Sequence, residues 1–157
     1  MQFPKVTYTE PPDVAIETLF DIKLNINGGW GYEPDDAIIL LSPLASPLTQ
    51  LEFTLASMRT HIEMNLMLPE EKRYGGINLK ELTRTLETIG SKSYEKVRYE
   101  VTAIPETLYK SFIQQYKEGY ENPDFDLQAH FDARKEATLS REIVCFFNIS
   151  SIQEKEK

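Results

Sequence analysis

The residues with obvious chemistry to offer are few. His61 and His130 are the only imidazoles and Cys145 is the only thiol, too small a set of soft ligands for a closed metal centre. His61 and Glu63 stand two apart in "HIE", and neighbours two apart do not share a helix face. Asp126 and His130, four apart in "DLQAHFD", would be adjacent on a helix with Asp124 and Asp132 close by. That run suits either a weak divalent site or a solvated face with acids at a helix start. Cys145 lies among Ile143, Val144, Phe146 and Phe147, apolar company that raises a thiol pKa and makes it a core residue rather than a nucleophile. No serine stands in a nucleophile-elbow context. No catalytic residue, metal or cofactor is therefore assigned.

The most unusual stretch is "NINGGWGYEPDD", residues 25–36. Glycines directly after a strand can cradle a phosphate, but the spacing matches neither the dinucleotide fingerprint nor the P-loop, and the acids that follow would repel the anion. Two readings remain. Asn27-Gly28 can supply the positive φ angles of a hairpin turn, with Trp30 folded back as a lid on the core. Alternatively the turn displays Trp30 and Tyr32 beside Glu33, Asp35 and Asp36, a mixture that recognises a cationic protein surface. These five are the expected partner-binding residues.

Charge bears on that choice. Seventeen Lys and Arg against twenty-five Asp and Glu give a formal charge of −8, which repels nucleic acids and anionic lipid and steers toward a basic protein, though solubility alone also accounts for it. No apolar run approaches the roughly 18 residues that cross a bilayer. One cysteine fits a reducing compartment, so the expected location is cytoplasmic.

The elements that must position these residues follow from periodicity. "FDIKLNIN" alternates over residues 20–27 and reads as a strand, and "AIILL" over 37–41 as a strand covered on both faces, the two forming a hairpin. Ser46-Pro47 opens a long helix to Leu68, with Leu48, Leu51, Leu55, Met58, Ile62 and Leu66 on its core stripe. Phe53 and Met64 project from the opposite side, so that helix is either covered twice or meets another chain. "NLKELTRTLETIG" reads as a short helix over 78–90, with Asn78 and Glu81 as a capping box and Gly90 ending it. "SYEKVRYEVTAI" alternates as a strand, and Pro105-Glu106 opens a helix whose Leu108, Tyr109, Phe112, Ile113 and Tyr116 share a face. Residues 124–139 are ambiguous between helix and strand, with helix favoured by composition. "REIVCFFNIS" reads as the last, buried strand.

The expected fold is α+β, a mixed and mostly antiparallel sheet of about five strands covered by three or four helices. One domain is expected over residues 1–157, with 1–13 a flexible arm and 151–157 a frayed charged tail. Small size, acidity, cytoplasmic character and an aromatic-acidic loop resemble the bacterial immunity proteins that neutralise basic toxins. The resemblance is of general character along the whole chain and carries no residue role. It implies a non-enzymatic, acidic protein-binding module, a monomer or weak homodimer. Two alternatives stay open: a small enzyme whose cleft uses His61, His130 or the Asp124–Asp132 cluster, and an assembly subunit using the Phe53/Met64 helix face.

Overall fold

The computed structural model describes residues 3–152. Helix α1, Pro12–Phe20, is followed by β1 at Ile26–Gly28, β2 at Ile38–Leu40 and the long helix α2 at Leu48–His61. Strands β3, Tyr74–Ile89, and β4, Lys92–Pro105, form a hairpin; helices α3, Glu106–Gly119, and α4, Leu127–Ala137, lead to β5 at Leu139–Asn148. The sheet order is β1-β2-β5-β4-β3, with only the β2–β5 pair parallel. The fold is α+β, with a mixed five-stranded sheet.

The alternation of β4 decides which side of the sheet is dry. Val97, Tyr99, Val101 and Ala103 are at 0–1% exposure, as the period-2 pattern requires, and they join Ile143, Cys145 and Phe147 of β5 in the main core. Helix α2 covers this side with Leu51, Leu55, Ala56 and Met58. On the opposite side a small cluster of Ala37, Tyr94 and Phe146 is buried, flanked by Val144.

Several elements differ from what the sequence pattern suggests. The segment expected as a helix over 78–90 is the outer half of β3. Its apolar residues fit a helical period, yet Leu82, Leu86 and Ile89 are exposed, so no helical stripe is buried. Pairing with β4 outweighs local propensity: Thr83 to Ile89 run in unbroken antiparallel register with Arg98 to Lys92, and the β-branched Thr83, Thr85 and Thr88 suit a pleated surface. Gly90 does take a left-handed φ of 63°, but in the two-residue turn between β3 and β4.

The strand expected over 20–27 shrinks to Ile26–Gly28. Phe20 closes α1 instead, Asp21 is left-handed at φ 55°, and Ile22 is 40% exposed. A proline in the first turn and the burial of Ala15 and Ile16 account for the helix that displaces it. The hairpin between β1 and β2 forms as expected, and residues 127–137 of the ambiguous segment are helical.

Helix α2 starts at Leu48 with Pro47, not Ser46, at its cap. After His61 it passes into a wider turn, Ile62–Leu66, with Met67 N–H reaching Ile62 C=O at 3.0 Å. Expected together on one outer face, Phe53 and Met64 separate: Met64 is fully buried while Phe53 is 41% exposed with its ring edge against Tyr99. The N-terminal arm also packs, placing Phe3, Val6 and Tyr8 against the core, and Ile152 of the tail is buried. Residues 153–157 of the expected tail lie outside the described residues.

Candidate functional site

The glycine stretch is a backbone device. A Cβ at Gly28, where φ is 82°, would lie 2.3 Å from Ala37 O, and one at Gly31, at φ 85°, would lie 2.9 Å from Phe146 O. Gly31 C=O in turn accepts from Phe146 N–H, and the Gly29 and Gly31 N–H groups donate to Ala37 and Asp36 carbonyls. The amides a phosphate would need are thus spent on closing the loop upon itself, while the Gly31 carbonyl ties it to β5.

Of the five expected partner-binding residues, the structure presents two to solvent. Glu33 and Asp35 are exposed, whereas Asp36 is half-buried and its carboxylate accepts from Glu33 N–H in a reciprocal cap. Trp30 is 8% exposed and belongs to the main core, which is the lid arrangement rather than display. Tyr32 turns inward: its hydroxyl donates to Glu63 Oε2 and accepts from Val6 N–H at 2.8 Å.

Tyr32 thereby enters a charged cleft of about 540 Å³ that the sequence pattern did not reveal. Arg59 is 2% exposed, its guanidinium carbon 4.2 Å from the Tyr32 ring centre. It donates through Nη1 to Trp30 C=O and through Nη2 to Val144 C=O, tying α2 to the glycine loop and to β5. Glu63, 1% exposed, lies between Arg59 at 3.6 Å and Arg141 at 3.1 Å. Burial and the facing carboxylate hold the Tyr32 phenol protonated, well above its ordinary range. The missed signal ran along α2 into the turn that follows it: Glu52, Arg59 and Glu63 recur at spacings of seven and four, a charged stripe on a helix that needed both sides covered.

A second ionic cluster links α2 to the sheet. Arg84 Nη1 is 2.5 Å from both Glu52 and Glu95, and its Nη2 is 2.6 Å from Glu81, so three carboxylates share one guanidinium. Glu52 has no exposed surface, and burial, opposed by Arg84 and reinforced by Glu95, pushes its carboxyl up to about 7. A folded-state value above the ordinary 4.5 means that folding favours the protonated form. The stabilisation is present in full below that ordinary value and is lost as pH rises through about 7. The thermal midpoint is accordingly expected to fall as pH is raised from 5 to 8, and Glu52→Gln should flatten that slope. An equal slope in wild type and variant would remove Glu52 as its source.

The remaining candidates stand apart. His130 is 5% exposed among the rings of Phe112, Tyr116, Phe125 and Phe131, at 5.3–5.8 Å between centres, and neither ring nitrogen has a hydrogen-bond partner. Asp126 caps α4 by accepting from Ala129 N–H, and Asp132 accepts from Gln128. His61 packs edge-on against Phe20, and burial lowers its pKa. Cys145 is fully buried, which pushes its thiol up to about 11. Among the described residues no three His, Cys, Asp or Glu side chains converge as metal ligands do, and no helix is long and apolar enough to cross a membrane.

Strand β3 lies at the sheet margin, 16 residues long, and among the described residues β4 is the one strand paired with it. Its tip reaches the glycine loop: Pro34, Asp35, Ile89, Lys92 and Tyr94 line one depression of about 290 Å³. Ile89 is 48% exposed there, and Leu86, on the other side of the strand, is 59% exposed. Compared with protein-family models, with curated proteins and with solved structures, the chain matches none.

Proposed function

We propose that this chain is an acidic protein-binding module that captures an extended segment of a basic protein along the margin of β3. The observation that carries the reading is the outer edge of residues 83–89, which no strand among the described residues pairs, in regular register with β4 on its inner side and bearing exposed Leu86 and Ile89. Such an edge offers backbone donors and acceptors to an added strand, while alternating side chains give specificity. The formal charge of −8 and the exposed Asp35 beside Ile89 favour a cationic partner. An inhibitor of a basic toxin, as the immunity proteins are, is the most specific form of this reading. The depression at Asp35, Ile89 and Tyr94 takes over the role expected of Trp30 and Tyr32. An assembly role through Phe53 and Met64 is less well supported, because Met64 lies in the core.

The test is capture of a basic protein from the native cell, followed by affinity measurement with the purified partner. Leu86→Lys combined with Ile89→Lys should weaken binding about tenfold or more, since it removes apolar contacts and adds like charge to the interface. Asp35→Asn should mainly slow association and flatten its salt dependence. Undiminished binding in the folded double variant would remove β3 from the interface, and self-association lost in that variant would point to a second copy as the occupant.

A further inference from the structure

We infer that the cleft between the N-terminal arm, α2 and β5 binds a small organic oxyanion, a carboxylate or phosphate ester on an apolar body. The site is separate from the β3 margin and does not depend on it.

The case is one of unbalanced buried charge. Arg59 and Arg141 share a single carboxylate, Glu63, and that carboxylate also accepts from the Tyr32 hydroxyl. Lys5 adds a third cation at the rim, its Nζ 5.2 Å from the Tyr32 ring centre. The one other acid lining the cleft, Glu142, is engaged by Arg98 at 2.6 Å. A chain that is strongly acidic overall therefore lines this cavity with a surplus of positive charge, where low dielectric strengthens each interaction.

The geometry divides the labour among the three cations. Arg59, almost wholly buried and bonded to two carbonyls, supplies a fixed positive field from behind. Arg141 is about one-fifth exposed, and among the described residues its only polar neighbour is Glu63, through Nη1. Its other N–H groups can take an oxyanion in the planar, two-point manner of guanidinium. Lys5, exposed at the rim, can close on the ligand as a point charge. Phe3, which stacks 4.5 Å from the Arg141 guanidinium carbon, and Ile143 make the apolar wall. A cavity of about 540 Å³ lies in the range that holds small ligands.

Benzoate and phenyl phosphate are the probes, with benzyl alcohol as the neutral control, each titrated into the folded protein by calorimetry. One or both anions should bind at one site per chain, with affinity that falls as salt rises, and the benzoate and phenyl phosphate arms rank carboxylate against phosphate. Arg141→Gln should weaken binding about tenfold or more, and Lys5→Gln, an exposed change that leaves the fold alone, about threefold. Circular dichroism on both variants separates lost binding from lost structure. The inference fails if neither anion binds at about 10 mM, far weaker than a useful site requires. It fails also if benzyl alcohol binds as well as benzoate, or if the folded Lys5→Gln and Arg141→Gln proteins bind as wild type does.

Discussion

Arg59→Met is expected to cost the fold about 3–5 kcal/mol, the range for breaking a buried ion pair by removing one partner. Arg59 is 2% exposed and engages three separate parts of the chain: it donates to Trp30 C=O in the glycine loop and Val144 C=O in β5, and it faces Glu63 in the wider turn after α2. Methionine fills much of the same space but leaves two carbonyls without that donor and Glu63, among the described residues, with Arg141 as its remaining ion-pair partner. The loss is read from urea unfolding followed by circular dichroism. Arg59→Met combined with Glu63→Gln should recover only a small part of it, because the buried carboxylate charge goes but the Trp30 and Val144 carbonyls still lack their donor. A loss under about 1 kcal/mol for the single change would show that the pair is screened by water and not a structural hub.

Trp30→Ala is expected to cost about 3–5 kcal/mol, as truncation of large buried aromatic residues does. The indole is 8% exposed and packs with the cluster that includes Ile38, Leu40 and Phe147. The reading also separates two roles that the sequence left open. A core lid costs stability and changes partner binding only through folding, whereas a displayed anchor costs affinity and leaves the melt unmoved. Equilibrium unfolding of the variant, set beside its partner affinity at a temperature where it remains folded, distinguishes them. An unchanged unfolding midpoint would return Trp30 to the surface.

How far the sequence reaches is clearest at two hairpins. "NINGGWG" is legible as a turn because only glycine tolerates the φ of 82° and 85° at Gly28 and Gly31, and the flanking apolar runs at Ile26 and Ile38–Leu40 need a partner. At 74–92 the same kind of reading misleads. Leu79, Leu82, Leu86 and Ile89 match a helix, and nothing local shows that the β4 strand offers a ladder to residues 83–89. Periodicity reports which residues share a face only if that face is buried, and this one is not.

By itself the sequence determined the acidic character, the dry and wet faces of β4, the buried last strand, the long helix α2 and the α+β class. Each rests on composition or on a period read over adjacent residues. Only the tertiary structure decided that Tyr32 faces Glu63, that Arg59 and Arg141 share that one carboxylate, and that Asp35 and Ile89 line one depression. Tyr32 and Glu63 are 31 positions apart, and Glu63 meets Arg141 from a different element, so these side chains carry no mark of their partners in the sequence. Burial makes their charges consequential, and burial at a given residue is set by which elements close over it.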